Sequence, residues 1–190
     1  MINRREALSR VSLLLGGTII GAEAFLTGCE MGPLKLSTTE FTDNNVIFLD
    51  EVGETIIPTT DTPGAKAAKI GEFMRTIVVD CYEPEDQEIF LAGIGTLNQS
   101  AQSTYQKEFL DLDPQQMKDL LTEIDTQAKA YEEEREPEDK AHYFTMMKQL
   151  TLWGYFTSEI GATQALRYIE VPGKYDGAYP YKKGDRAWAT

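Results

Sequence analysis

Apolar positions recur at helical spacing through most of the chain. Val46, Leu49, Val52 and Ile56 share one face of a helix predicted over Asp43 to Ile57, with Thr42 as its N-cap and Pro58 as its stop. Ala68, Phe73, Ile77 and Val78 mark a second helix, Ala65 to Asp80, after the turn-rich loop Thr59 to Gly64. Ile89, Phe90, Ile94 and Leu97 mark a third, Pro84 to Tyr105, with Pro84 suited to a first helical turn. Gly93 and Gly95 weaken it or admit close contact with a neighbour. Met117, Leu120, Leu121 and Ile124 mark a fourth, which starts at Pro114 behind an Asp113 cap.

The fifth predicted helix, Tyr143 to Leu166, has a different pattern. Met146, Met147, Leu150, Leu152, Trp153, Tyr155 and Phe156 surround it instead of striping one side, which suits a helix inside a core. Gly154 lets another backbone pass close, and Gly161 marks a kink or break. Beyond Arg167 the periodicity stops. Tyr168, Tyr175, Tyr179, Tyr181 and Trp188 alternate with Pro172, Gly173, Gly177, Pro180 and Gly184. So much aromatic surface implies an ordered strap laid over the protein's own core or over a partner. No strand pattern or internal repeat is visible. The expected class is all-α: a single domain over residues 42–190, with five or six helices and an irregular C-terminal strap.

Residues 1–28 read as an export signal. Arg4 and Arg5 precede an apolar run, Val11 to Gly28, in the order of a twin-arginine (Tat) signal. Glu23 and several glycines weaken that run as a permanent membrane span. Leu26-Thr27-Gly28-Cys29 resembles a lipobox, in which Cys29 becomes the lipidated first residue, and residues 29–41 are then a short tether. The chain carries a formal charge of −13. Acidity of that size argues against nucleic acid and anionic lipid headgroups as partners. With Cys29 acylated, Cys81 is left alone, no intrachain disulfide is available, and Cys81 reads as a small buried apolar residue.

Chemistry-bearing motifs are scarce. The chain has no Gly-rich phosphate loop, no Cys-x-x-Cys-His, no cysteine set for an iron–sulfur cluster and no Gly-x-Ser-x-Gly. No catalytic, cofactor-binding or metal-binding residues are therefore assigned. The lone His142 has Glu138 and Asp139 one helical turn away, but reads as a helix start; Asp113 beside Asp111 reads as a cap and not a calcium ligand; the acidic run Tyr131 to Lys140 reads as an exposed helix end. Glu159, within the most apolar segment, is expected to pair with Arg167.

Three segments resemble the gluconate 2-dehydrogenase subunit 3 family. They are Leu150-Thr151-Leu152-Trp153-Gly154-Tyr155-Phe156-Thr157-Ser158-Glu159-Ile160-Gly161-Ala162; Val171-Pro172-Gly173-Lys174-Tyr175-Asp176-Gly177 with Pro180-Tyr181 and Gly184-Asp185-Arg186-Ala187-Trp188; and the loop Ile57 to Ala65. The resemblance implies a small, cofactor-free subunit of a periplasmic, membrane-associated dehydrogenase. Its large partner would carry FAD and oxidise a sugar, sugar acid or alcohol, and a cytochrome c subunit bearing haem c often takes the electrons onward. The partner would cross by the Tat translocase on the signal of Arg4 and Arg5, and Cys29 would supply a lipid anchor. Trp153, Tyr155, Phe156, Tyr175, Tyr179 and Trp188 are the expected partner interface. Two further readings stay open: a stand-alone envelope lipoprotein scaffold, and an enzyme in its own right.

Overall fold

The computed structural model describes residues 35–171 and 173–189. Arg4, Arg5 and Cys29 lie outside the described residues. The described residues are mostly helical, with five α-helices among them: α1 Asp43–Ile56, α2 Ile70–Cys81, α3 Pro84–Tyr105, α4 Pro114–Glu134 and α5 Tyr143–Thr157. Short 3₁₀ turns, Lys66–Ala68 and Phe109–Asp111, precede α2 and α4. A π-helical turn, Gly161–Ala165, follows α5.

Local chemistry fixes the helix ends. The Thr42 hydroxyl accepts from Asn45 N at the start of α1. Asp113 and Gln116 form a reciprocal capping box, with Pro114 in the first turn, so α4 starts where its side chains satisfy the free N–H groups. The predicted second helix is split. Lys69, at φ 55°, is left-handed and separates the 3₁₀ turn from α2. The predicted fifth helix is shorter than its apolar pattern. It ends at Thr157, where Ser158 adopts an extended conformation and donates its N–H to the Gly154 and Tyr155 carbonyls. Ser158 Oγ also accepts from Gly161 N at 3.0 Å, which starts the π turn.

The four other described helices all pack against α5. Phe144, Met146, Met147, Leu150 and Tyr155 meet Phe48, Leu49, Ile70, Met74, Phe90, Ile94 and Leu121 in one core. This burial of apolar surface is the principal stabilising term, at about 25 cal/mol per Å². Gly154 approaches a side chain and not a backbone: a Cβ there would sit 2.5 Å from Phe73 Cδ1. Buried Asn45 ties the segment before α1 to the body, since its Oδ1 accepts from Ser37 N at 3.2 Å and its Nδ2 donates to Ser37 O at 2.7 Å.

Two short strands, β1 Arg167–Tyr168 and β2 Trp188–Ala189, pair in parallel. The sequence shows no periodicity over so short a pairing. Together they clip both ends of the C-terminal strap, and Arg167 N donates to Ala187 O at 2.8 Å.

Candidate docking surface

The structure divides the six aromatic candidates. Tyr155 is core: it is 2% exposed and its hydroxyl donates to Pro63 O at 2.6 Å. Trp153 and Phe156 are 54% and 42% exposed, with Leu152 at 40%. Positions 152, 153 and 156 are spaced as neighbours on a helix surface, so α5 carries a bare apolar face behind its buried one. An apolar circumference does not by itself put a helix wholly inside. Phe73 of α2 meets Trp153 edge-on, with ring centroids 5.5 Å apart, and holds the indole in place.

Tyr175, Tyr179 and Trp188 lie on the strap. The strap does not close the core, which with its partly buried fringe ends at Ala165. Tyr175 is 95% exposed. Arg167 does not pair with Glu159, which is exposed. Its guanidinium lies 4.2 Å from the Trp188 ring centroid and 5.8 Å from that of Tyr179, and the two rings meet edge-on at 5.4 Å. Cation–π attraction replaces the expected ion pair, because β-pairing carries Arg167 toward Trp188. Arg167 Nε is buried without a hydrogen-bond partner among the described residues. The strap encloses an open crevice of about 690 Å³, lined by Ile169, Lys174, Tyr175, Tyr179 and Trp188 among others.

The loop after α1 is built by one carboxylate. Glu54 Oε1 accepts from Thr59 N and Thr59 Oγ1 at 2.8 and 2.6 Å, and Oε2 accepts from Lys66 N at 3.0 Å. Partial burial raises the Glu54 pKa. The Thr59 and Lys66 hydrogen bonds and the Lys66 charge outweigh that, and hold it below 4.5. Tyr155 closes the same loop from the far side at Pro63. The sequence gives no hint that Glu54 does this.

His142 is the N-cap of α5, with Nδ1 accepting from Phe144 N at 3.1 Å. Its ring lies against those of Tyr131 and Tyr143, both tilted to it, and His142 N donates to Glu132 Oε1. Burial lowers the His142 pKa below 6.5, against the opposing charge of Glu132. Among the described residues no three His, Cys, Asp or Glu side chains gather as a metal site, and no helix is long and apolar enough to cross a membrane. Cys81, expected inside, is exposed, because α2 ends there and turns its last residue outward.

A family model described as gluconate 2-dehydrogenase subunit 3 matches residues 43–173. The chain belongs to this family. The matched span contains all five helices and the exposed face of α5, and it ends at Gly173, so Tyr175, Tyr179 and Trp188 lie beyond it. No curated protein and no solved structure matches the chain. As a subunit 3 protein, the chain is a component of a dehydrogenase complex.

Proposed function

We propose that this chain is the non-catalytic small subunit of a periplasmic dehydrogenase complex, and that the exposed face of α5 docks the large, FAD-bearing subunit. The observation that carries this reading is Leu152, Trp153 and Phe156. They stand bare on the very helix that the other described helices pack against. A solvent-facing aromatic patch on a rigid central helix is the anatomy of a protein–protein hot spot. Tyr155 supports that face from inside and is not itself an anchor.

In this reading Arg4 and Arg5 direct export through the Tat translocase with the folded flavoprotein bound. Cys29 carries the lipid that holds the complex at the membrane. The partner's FAD oxidises a sugar, sugar acid or alcohol, and a cytochrome c subunit takes up the electrons.

The test is purification of this protein from its native membranes in mild detergent, through a C-terminal tag. The expected result is a flavin absorption spectrum and a large co-purifying dehydrogenase. Trp153→Ala should weaken that association by about thirtyfold, the effect of losing an anchor worth about 2 kcal/mol. A colourless protein recovered alone would overturn the reading in favour of a stand-alone lipoprotein.

A further inference from the structure

Charge along the chain changes sign in the strap, from Arg167 onward. Arg167, Lys174, Lys182, Lys183 and Arg186 face only three carboxylates, Glu170, Asp176 and Asp185, in a chain whose net charge is −13. Two of those carboxylates serve turns: Asp176 Oδ1 accepts from Ala178 N at 3.0 Å, and Asp185 Oδ2 accepts from Lys182 N at 2.9 Å. Lys174, Lys182, Lys183 and Arg186 are exposed and have no ion-pair partner among the described residues. In the helical body Lys66, Arg75, Lys129, Arg135, Lys140 and Lys148 have ion-pair partners, whereas Lys69, Lys107 and Lys118 have none among the described residues. Among the free cations stand Val171, Tyr175 and Tyr181, at 77%, 95% and 73% exposure.

We propose that the strap is a membrane-contact surface that takes anionic phospholipid headgroups between its lysines and sets its tyrosines at the headgroup level. Tyrosine beside lysine is the combination that suits the bilayer–water boundary, where a ring needs one wet end and one apolar end. Each Lys or Arg near an anionic leaflet favours binding by about fivefold. The whole-chain acidity that argues against such a surface does not govern this contact. Fields between exposed charges die away within about 10 Å at ordinary salt, so the charges of the strap itself weigh most on headgroups in contact with it. The rings are carried on turns and are not held in a socket of the body. A deformable lipid surface accommodates rings spaced that way, whereas a protein partner would demand a matching set of pockets.

The inference rests on the lipid anchor at Cys29 only to bring the strap near the bilayer. Five residues lie between Cys29 and Lys35, where the described domain begins, so those six steps of extended chain span at most about 20 Å. The contact requires that the tethered domain turn its strap to the bilayer, and the experiment reads that orientation directly.

The experiment uses the mature protein isolated from membranes, in a Cys81→Ser background, with a polarity-sensitive fluorophore on Ala178→Cys or, in a second variant, on Val171→Cys. It is reconstituted into vesicles of phosphatidylglycerol mixed with phosphatidylcholine, or of phosphatidylcholine alone. The expected result is a blue shift, with quenching by a headgroup nitroxide lipid, in the anionic vesicles alone. Replacing Lys174, Lys182 and Lys183 together by Gln should cut the inserted population roughly a hundredfold. An aqueous spectrum at both labels in both vesicle types would overturn the inference. So would a shift that appears only when the flavin subunit is added, which would make the strap a protein interface. The mass of the N-terminal peptide reports acylation of Cys29 separately. An unacylated chain that still shifts in anionic vesicles keeps the strap contact and sinks the anchor; an acylated chain with an aqueous strap does the reverse.

Discussion

The hydroxyl of Tyr155 donates to the carbonyl of Pro63 at 2.6 Å, joining the end of α5 to the loop after α1 across 92 residues of sequence. The contact makes Tyr155 a structural residue although Trp153 and Phe156 beside it face outward. Tyr155→Phe should cost about 1 kcal/mol in denaturant unfolding, the usual loss for one hydrogen bond, and should leave association with a partner unchanged. Tyr155→Ala should cost about 3–5 kcal/mol, because a buried ring is removed as well.

Trp153→Ala should behave in the opposite way. The indole is half in water, so unfolding stability should fall by about 1 kcal/mol or less, mostly through the lost edge contact with Phe73. Side-by-side unfolding curves and pull-downs of the Tyr155 and Trp153 variants separate support from contact.

Gly71 should tolerate no side chain. A Cβ there would lie 2.3 Å from Val46 O, a backbone atom of α1 that cannot swing aside. Gly71→Ala should therefore push α1 and α2 apart and cost about 1–3 kcal/mol. It should also weaken the bond from Gly71 N to Asp50 Oδ1, now 2.8 Å. Thermal unfolding reads the loss directly.

Glu54 links the loop after α1 to pH. Its folded pKa is held below 4.5, so the carboxylate contributes stability that is fully present above that value and is lost as pH falls through the lower, folded value. Glu54→Gln should be less stable than the parent at neutral pH, and the gap should close in acid. Urea midpoints across that range measure it.

His142 gives a second pH dependence of the same sense. Its Nδ1 must be unprotonated to accept from Phe144 N, and its folded pKa lies below 6.5. The cap is fully present above 6.5 and fades as pH falls through the folded value. His142→Asn caps at any of these pH values, so it should flatten that part of the profile, worth about 1 kcal/mol. A slope that persists in the Asn variant would assign the dependence to another group.

Helix boundaries were legible where a side chain announces them. Thr42, Pro84, Asp113 and Pro114 each satisfy or lack a backbone donor, and the helices start there. The end of α5 was harder. The apolar pattern runs on past Thr157, but Ser158 turns the chain with its own hydroxyl, a choice decided by local hydrogen bonds and not by hydropathy. Lys69 hides its left-handed turn because nothing in a lysine side chain signals it. The candidate surface was half legible. Sequence singles out Trp153, Tyr155 and Phe156 alike, since hydrophobicity is the same whether a ring is buried by its own chain or left for another. Only packing against Phe73 and Pro63 tells them apart. Nearness in sequence points Arg167 to Glu159, but a pairing between residues far apart in the chain brings the Trp188 ring closer.

The pairing of Arg167 with Trp188 also has an entropic consequence. It closes the strap into a ring, and closing a flexible loop of about 20 residues costs roughly 2.7 kcal/mol. That ordering is completed when the domain folds, so whatever surface the tyrosines meet does not have to supply it. A chain ended just before Trp188 would keep Tyr175 and Tyr181 in its sequence, yet each would search its conformations afresh at every encounter.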